Sequence, residues 1–494
     1  MKRSSQKSAQ RDDLAVYDPH AVIVSDRYLS VHDGHLFIEH CDTVELAERF
    51  GTPLFLVSES QLRGRFREFK EAFQSAWPEG SVNILPSIKA NYCFALRRIL
   101  SEEGAGCDTF GEGELQAALA CGVAPELISV NGSTKSAALL RRSVEVGARI
   151  TLDSVAELQV VEEAARELGR RAAIRFRVRP RYDRLDAISQ LSFEPVTIRD
   201  AAQRYKPGLP IADLLAVVPQ AASSPNLDFR GLHYHIGRHS SGVDMWRLAI
   251  DSFADVVAEV SRVLGGWLPE EIDVGGGFAP YRDPVARAWH AVPQTPSDAI
   301  PSVREYAEAV AEALRSAFQE RGLAVKGATL EVEPGRSLYA NAGIHLTRVQ
   351  NFKQQDEPQR WRWVEVDTSE IFLSDVWIEG WRWCVIVANK ADEPCPLVAD
   401  VVGKSCGFDL LVPDAQVPTD VGPGDVLAFL DTGAYDEAYS SNFNAMCRPA
   451  TVLILGDSAD VVKRAETYED VFAREIIPER LRSGSPVKSN PTWR

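Results

Sequence analysis

Eight short β-rich runs, each followed by a stretch of helical periodicity, succeed one another between residues 82 and 336. The first is VNILPSIKAN. AGCDTFG, LISVNGS, RITLDS and AAIRFRVRP come next, then FRGLHYHIG, EIDVGGG and ATLEVEPGR. Between them lie helix-like segments such as VAELQVVEEAARELG, with Asp153 or Ser154 as its N-cap, and SVREYAEAVAEALRSAFQERG. A strand–helix–strand crossover makes its two strands parallel neighbours. Eight such units predict an α/β chain folded as a closed (β/α)8 barrel of the TIM type. A doubly wound open sheet is the alternative. It does not favour eight units, and no G-x-G-x-x-G follows the first strand.

After about residue 340 the texture changes. WRWVEVDTS, WRWCVIVANK, CPLVADVVG, DVLAFLDTG and ATVLILGD read as strands separated by Pro, Gly and Asp, and predict a second, mainly antiparallel β domain of barrel or sandwich type. The early stretch AVIVSDRYLSVHDGHLFIEH, with Asp33-Gly34 as a turn, has hairpin character and is expected to add strands to that domain. The expected organisation is a disordered arm (1–15), N-terminal strands joining the β domain (16–48), the barrel (49–340), the C-terminal β domain (341–480) and a loose tail (481–494).

Bulk properties exclude several classes. The formal net charge of −16, with no long basic block, argues against nucleic acid as a partner. No apolar run approaches the roughly 20 residues that span a bilayer, and the polar N-terminus does not read as a signal peptide, so a cytoplasmic protein is expected. The 8 cysteines form no C-x-x-C pair, which suggests neither a zinc site nor a disulfide framework.

In a barrel of this kind the chemistry sits at the C-terminal ends of the strands. Those ends carry Lys89 and Asn91, Asp108, Asn131, Asp153, Arg177, His233 and His235, Gly275 to Gly277, and Glu333 with Arg336. Any one of these is an ordinary residue. Together they offer an amine for an imine with an aldehyde cofactor, of which pyridoxal phosphate is the common one. A glycine run lets backbone N–H groups approach a phosphate. A carboxylate favours the protonated form of a pyridine nitrogen.

At this point the residues resemble a known family. SIKAN (87–91), CDTFGEGEL (107–115), NGSTKS (131–136), HYHIG (233–237), DVGGGF (273–278), EPGRSL (333–338), SCGFD (405–409), GAY (433–435) and SNFN (441–444) stand in the order of the fold-type III pyridoxal-phosphate decarboxylases. The likeness is to the diaminopimelate decarboxylase branch and, more distantly, to ornithine decarboxylase. It implies that Lys89 binds the cofactor's aldehyde and that His235 stacks on its ring. Gly275, Gly276, Gly277, Arg336 and Tyr435 would hold the phosphate, and Glu333 would pair with the ring nitrogen. Asp108 and Arg177 would support them. Cys406 would cross a homodimer interface to return a proton to the carbon that loses carbon dioxide. A small amino acid is the implied substrate, and no metal is implied.

Two departures stand out. The family places a serine after HIG, where this chain has Arg238. The family also follows the cysteine with an acidic residue that reads the substrate's distal amino group, whereas Cys406 is followed by Gly407, Phe408 and Asp409. Arg336, Asp409 and Arg238 are therefore the candidates for substrate contact, and a substrate other than diaminopimelate, lysine or ornithine is expected. The competing readings are an amino-acid racemase or epimerase on the same fold and a non-catalytic homologue. Glu333, where alanine racemases carry arginine, speaks against the first. The joint presence of Lys89, His235, Glu333 and Cys406 speaks against the second.

Overall fold

The computed structural model describes residue 23 and residues 26–179, 206–237, 242–280, 300–378, 381 and 383–482. Arg238, the expected arm (1–15) and most of the expected tail lie outside the described residues. The described residues form two compact units: one is the chain up to Ser58 with the chain from Gly343 onward, the other runs from Glu59 to Ala342.

At the N-terminal side of the first unit, β1 (Leu29–His32), β2 (His35–Ile38) and β3 (Cys41–Asp42) form a small antiparallel sheet. The turn at Asp33-Gly34 has positive φ at both residues, as the Asp-Gly pair predicts. β4 (Leu54–Ser58) instead enters the large sheet of this unit, so the barrel unit begins at Glu59 rather than at residue 49. Its LFLVS sequence is buried on both faces, which a strand central to a sheet requires.

The barrel unit contains all eight strands expected from the sequence: β5 (Val82–Ile84), β6 (Cys107–Thr109), β7 (Ile128–Val130), β8 (Arg149–Leu152), β9 (Ala172–Arg177), β10 (Leu227–His233), β11 (Glu271–Asp273) and β12 (Thr329–Val332). They pair in the order β5-β12-β11-β10-β9-β8-β7-β6, every pair parallel. β5 and β6 close the ring: Gly106 N donates to Ile84 O at 3.0 Å, and Ser87 bridges Asp108. Gly231 shows how tightly the strands meet, since a Cβ there would lie 1.9 Å from Glu271 O.

Helices cover the outside because their apolar residues recur at helical spacing. Val303–Glu320 starts at a capping box of Ser302 and Glu305 and buries Tyr306, Val310, Leu314 and Phe318. Val155–Leu168 is capped by Ser154, whose side chain accepts from Glu157 N. Phe278, just past the glycine run, is clasped by Trp246 (4.5 Å between centroids), Phe73 (5.6 Å) and Phe69 (5.7 Å). Each such ring contributes roughly 1.5–3 kcal/mol by burial, and the cluster fixes the far end of the glycines.

The barrel interior departs from the usual filling of branched apolar side chains. On β9, Ile174 and Phe176 alternate with Arg175 and Arg177. Arg175 is fully buried and reaches Thr151 Oγ1 (2.8 Å), Ser129 Oγ (2.5 Å), Asp273 Oδ2 (2.5 Å) and Glu331. Those partners come from four other strands, which places Arg175 in the lumen. Arg149 joins it, with Glu271 at 3.0 Å and Glu331 at 2.7 Å.

In the other unit the large sheet runs β17-β16-β14-β13-β4-β19-β20, and β18 pairs with β13 and β15. Its later strands are β13 (Gly343–Gln355), β14 (Trp361–Val366), β15 (Val385–Val387), β16 (Leu397–Val402), β17 (Leu410–Val417), β18 (Val426–Leu430), β19 (Ala450–Leu455) and β20 (Ser458–Lys463). Pairing is antiparallel except for β14 with β16 and β4 with β19. Alternate residues Leu54, Leu56, Ile344, Leu346, Ala428, Leu430, Val452 and Ile454 build the core, which Leu36 and Ile38 of β2 complete. The N-terminal strands thus share this core, yet as a sheet of their own rather than as added strands of the large one.

Candidate active site

Lys89 follows β5 in a single 3-10 turn, Ile88–Ala90. Ile88 and Ala90 are buried, so the turn leaves the side chain between them projecting at the barrel mouth, 43% exposed. Its Nζ lies 3.9 Å from Asp108 Oδ2 and 5.8 Å from the centre of the Phe110 ring.

Asp108, the middle residue of β6, is buried. Ser87 Oγ donates to its Oδ2 at 2.5 Å and Asn131 Nδ2 to its Oδ1 at 2.6 Å. Burial first, and the charge of Glu333 second, push its carboxyl above the usual range, against Lys89, Ser87 and Asn131. The same Asn131 nitrogen donates to Glu333 Oε1, also at 2.6 Å. Glu333 Oε2 lies 3.3 Å from His233 Nε2, and Arg175 stands 3.8 Å from Oε1. His233 is held neutral by burial, then by the Arg177 and Arg175 charges, so it meets the carboxylate as an Nε2–H donor. Each oxygen of Glu333 is therefore aimed by a separate neutral donor.

His235 lies two residues beyond the end of β10. Gly237 N donates to its Nδ1 at 2.9 Å, which fixes a neutral tautomer with its proton on Nε2. Burial, then the charges of Arg177 and Lys89, hold its pKa well below the usual value. Arg177 ends β9, buried.

The glycine run is required by packing. Gly275 and Gly277 have φ of +70° and +104°, and a Cβ on Gly276 would sit 2.3 Å from Glu333 O. Asp273 Oδ1 accepts from Gly275 N at 2.8 Å, tying the run to the lumen network through Arg175. Arg336 follows Gly335 beyond β12 and is buried. His233, Asp273 and Glu333 bring ligand atoms within 4.8 Å of one another. The positive charge beside them is already that of Arg175.

The remaining residues singled out in the sequence belong to the β unit. Cys406 is exposed between β16 and β17, and Asn444 Nδ2 donates to its Sγ at 3.3 Å. Tyr435 has φ +68° and stacks on Tyr439 with centroids 5.9 Å apart. Asp409, a candidate for substrate contact, lies on the same loop as Cys406. Its carboxylate is buried beneath the loop and accepts from Ser405 N (2.6 Å), Glu370 N (2.7 Å) and Ser369 Oγ (2.9 Å). With φ at +47° the residue turns inward, and its carboxylate is engaged in holding the loop.

A lysine amine at the mouth, a side-chain-free glycine stretch, a buried and doubly aimed carboxylate and a neutral imidazole suit the aldehyde, phosphate, ring nitrogen and ring face of pyridoxal phosphate. Comparison with known proteins decides the matter. Residues 59–340 match the family model for the pyridoxal-binding domain of pyridoxal-dependent decarboxylases. The chain belongs to this family. Diaminopimelate decarboxylases from Methanothermobacter thermautotrophicus and Mycobacterium tuberculosis are each 30% identical to it, over 92% of this chain and 98% of the relative in the first case and 90% and 95% in the second. The crystal structure of the Methanocaldococcus jannaschii diaminopimelate decarboxylase in complex with L-lysine superposes with a TM-score of 0.81 at 27% identity, covering 92% of this chain and 99% of that one. As a pyridoxal-dependent decarboxylase the protein is a carboxy-lyase that uses pyridoxal phosphate.

Asn131, His233 and Arg175 complete this site, though the sequence reading gave them no role. Asn131 and His233 stood among the strand-end residues. Arg175 was signalled only by its two-residue spacing from Arg177, which puts both on one face of β9.

Proposed function

We propose that this decarboxylase removes the carboxyl group of an amino acid or amino-acid derivative other than diaminopimelate, lysine or ornithine. The observation that carries the reading is the Lys89–Asp108–Asn131–Glu333 chain across the barrel mouth. The substrate departure rests on Cys406 being followed directly by glycine and on Asp409 being spent within its own loop. A buried site without an acceptor binds a distal ammonium poorly.

In this reading Lys89 anchors the cofactor's aldehyde. Gly275 to Gly277, Arg336 and Tyr435 hold its phosphate. His235 covers the ring, and Arg177 and Asp108 stand around it. Bound pyridoxal phosphate supplies the electron-accepting ring that takes the pair left by the departing carboxylate. Glu333, aimed by Asn131 and His233, keeps a proton on the ring nitrogen. Cys406, provided by a second copy of the chain in a homodimer, gives its thiol proton to the carbon that lost carbon dioxide. All eight cysteines are free thiols, and no helix among the described residues is long and apolar enough to cross a membrane. Both features suit a cytoplasmic enzyme.

Carbon dioxide release from the purified protein, measured across a panel of amino acids, tests the assignment. Turnover is expected on a member without a distal ammonium, with kcat/KM well above that for meso-diaminopimelate, lysine and ornithine. Efficient turnover of meso-diaminopimelate contradicts it.

A further inference from the structure

The SNFN segment, 441–444, has no role in the chemistry described so far, yet its last residue grips Cys406 at two points. Asn444 Oδ1 accepts from Cys406 N at 3.1 Å, and Asn444 Nδ2 donates to Cys406 Sγ at 3.3 Å. One planar amide thus fixes both the backbone and the sulfur of the same residue.

The grip is built at a cost to the backbone. Asn444 and Ala445 are consecutive residues in the left-handed region, with φ of +57° and +54°. Asparagine tolerates that region, whereas alanine there costs about 1–2 kcal/mol. The surroundings enforce it. Asn442 Nδ2 donates to Met446 O (2.9 Å) and Glu466 Oε2 (2.6 Å), and Ala445 N donates to Asn442 O (2.9 Å). Arg448 in turn clamps Glu466 at 2.6 Å. A strained turn pinned this firmly sets the direction of the one side chain that leaves it toward another loop.

We propose that Asn444 is the positioning residue of Cys406 in proton delivery. This rests on the reading of Cys406 as the proton donor. With Nδ2–H already donating to the sulfur, the thiol's own proton is directed elsewhere. When that proton passes to the carbon, the carbon's electron pair forms the new C–H bond and the sulfur is left as a thiolate. Solvent later returns the sulfur's proton. The N–H···S bond strengthens as the negative charge develops, because a bond to a charged acceptor is about twice as strong as a neutral one. The nearby charged groups, Lys404 on the same loop and Glu370 and Asp409 hydrogen-bonded into it, are unchanged when Asn444 is replaced.

The test uses the holoenzyme with Asn444→Gly, which keeps the left-handed backbone and removes the amide. Asn444→Asp keeps an acceptor for Cys406 N but has no donor for sulfur. The rate of iodoacetamide alkylation of Cys406, measured by peptide mass spectrometry, reads the thiol directly. Both variants are expected to slow alkylation at neutral pH about tenfold, because the sulfur loses the donor that meets its developing charge. They should lower kcat about tenfold with KM within about twofold, and add nothing in a Cys406→Ala background. An unchanged alkylation rate with unchanged kcat in both variants overturns the assignment of Asn444. Full turnover by Cys406→Ala alone overturns instead the reading on which it rests.

Discussion

One nitrogen of Asn131 stands 2.6 Å from Glu333 Oε1, and the same nitrogen stands 2.6 Å from Asp108 Oδ1. The amide holds apart two acids that would otherwise repel each other in a buried site, and it turns one oxygen of each toward itself. Asn131→Ala removes the amide donor to Asp108 Oδ1 and one of the two donors aimed at Glu333. A buried acceptor left without its donor costs about 1–3 kcal/mol, so kcat/KM is expected to fall roughly 10- to 100-fold. Steady-state kinetics with saturating pyridoxal phosphate checks this; a variant with wild-type kcat/KM contradicts it.

Gly276→Ala puts a methyl group 2.3 Å from the carbonyl oxygen of Glu333, a backbone atom that cannot turn aside. Overpacking of this kind costs about 1–3 kcal/mol. The shift should also loosen the proposed phosphate cradle beside it. Chemical denaturation should show a lower midpoint, and titration with pyridoxal phosphate a weaker affinity. Unchanged values on both counts would mean that the strand ends yield more easily than their close packing implies.

Glu114 bonds the backbone of Phe110 at 2.6 Å, close to the lysine. Burial, then the charge of Asp108, lifts its carboxyl from the ordinary 4.5 to about 7, against the Phe110 N–H and the Lys89 charge. The folded protein therefore binds this proton more tightly than the unfolded chain. The resulting stabilisation is present in full below about pH 4.5 and is lost as pH rises through about 7. In Glu114→Gln this part of the pH dependence should vanish. Denaturant midpoints of both proteins at several pH values between 5 and 8 measure it, and parallel curves would contradict the assignment.

Much of the barrel was legible because each βα unit carries its own period, and some helices start at a side-chain cap, as at Ser154 and Ser302. The strand ends were legible for the same reason: once a strand is placed, its last residue is placed too. The lumen was not, because Arg175 becomes an interior residue only when Asp273 and Glu331, about 100 and 156 positions away, arrive to neutralise it. β13 escaped the sequence reading because its last six residues, QNFKQQ, leave the core and lose the apolar alternation. The expected boundary at residue 49 put β4 in the barrel, since nothing local reveals that its partners are β13 and β19. Asp409 shows the same limit: its place near Cys406 in the sequence does not reveal that a left-handed turn engages its carboxylate within the loop.

The central claim is that the amine of Lys89, beside Asp108 at the barrel mouth, carries the cofactor. Borohydride reduction of the holoenzyme, followed by peptide mapping, tests it most directly. The account predicts the mass of the reduced cofactor on the peptide containing Lys89 and none in Lys89→Ala. Label on another lysine, such as the buried Lys135 that pairs with Glu157 at 2.9 Å, or no label at all, would contradict it.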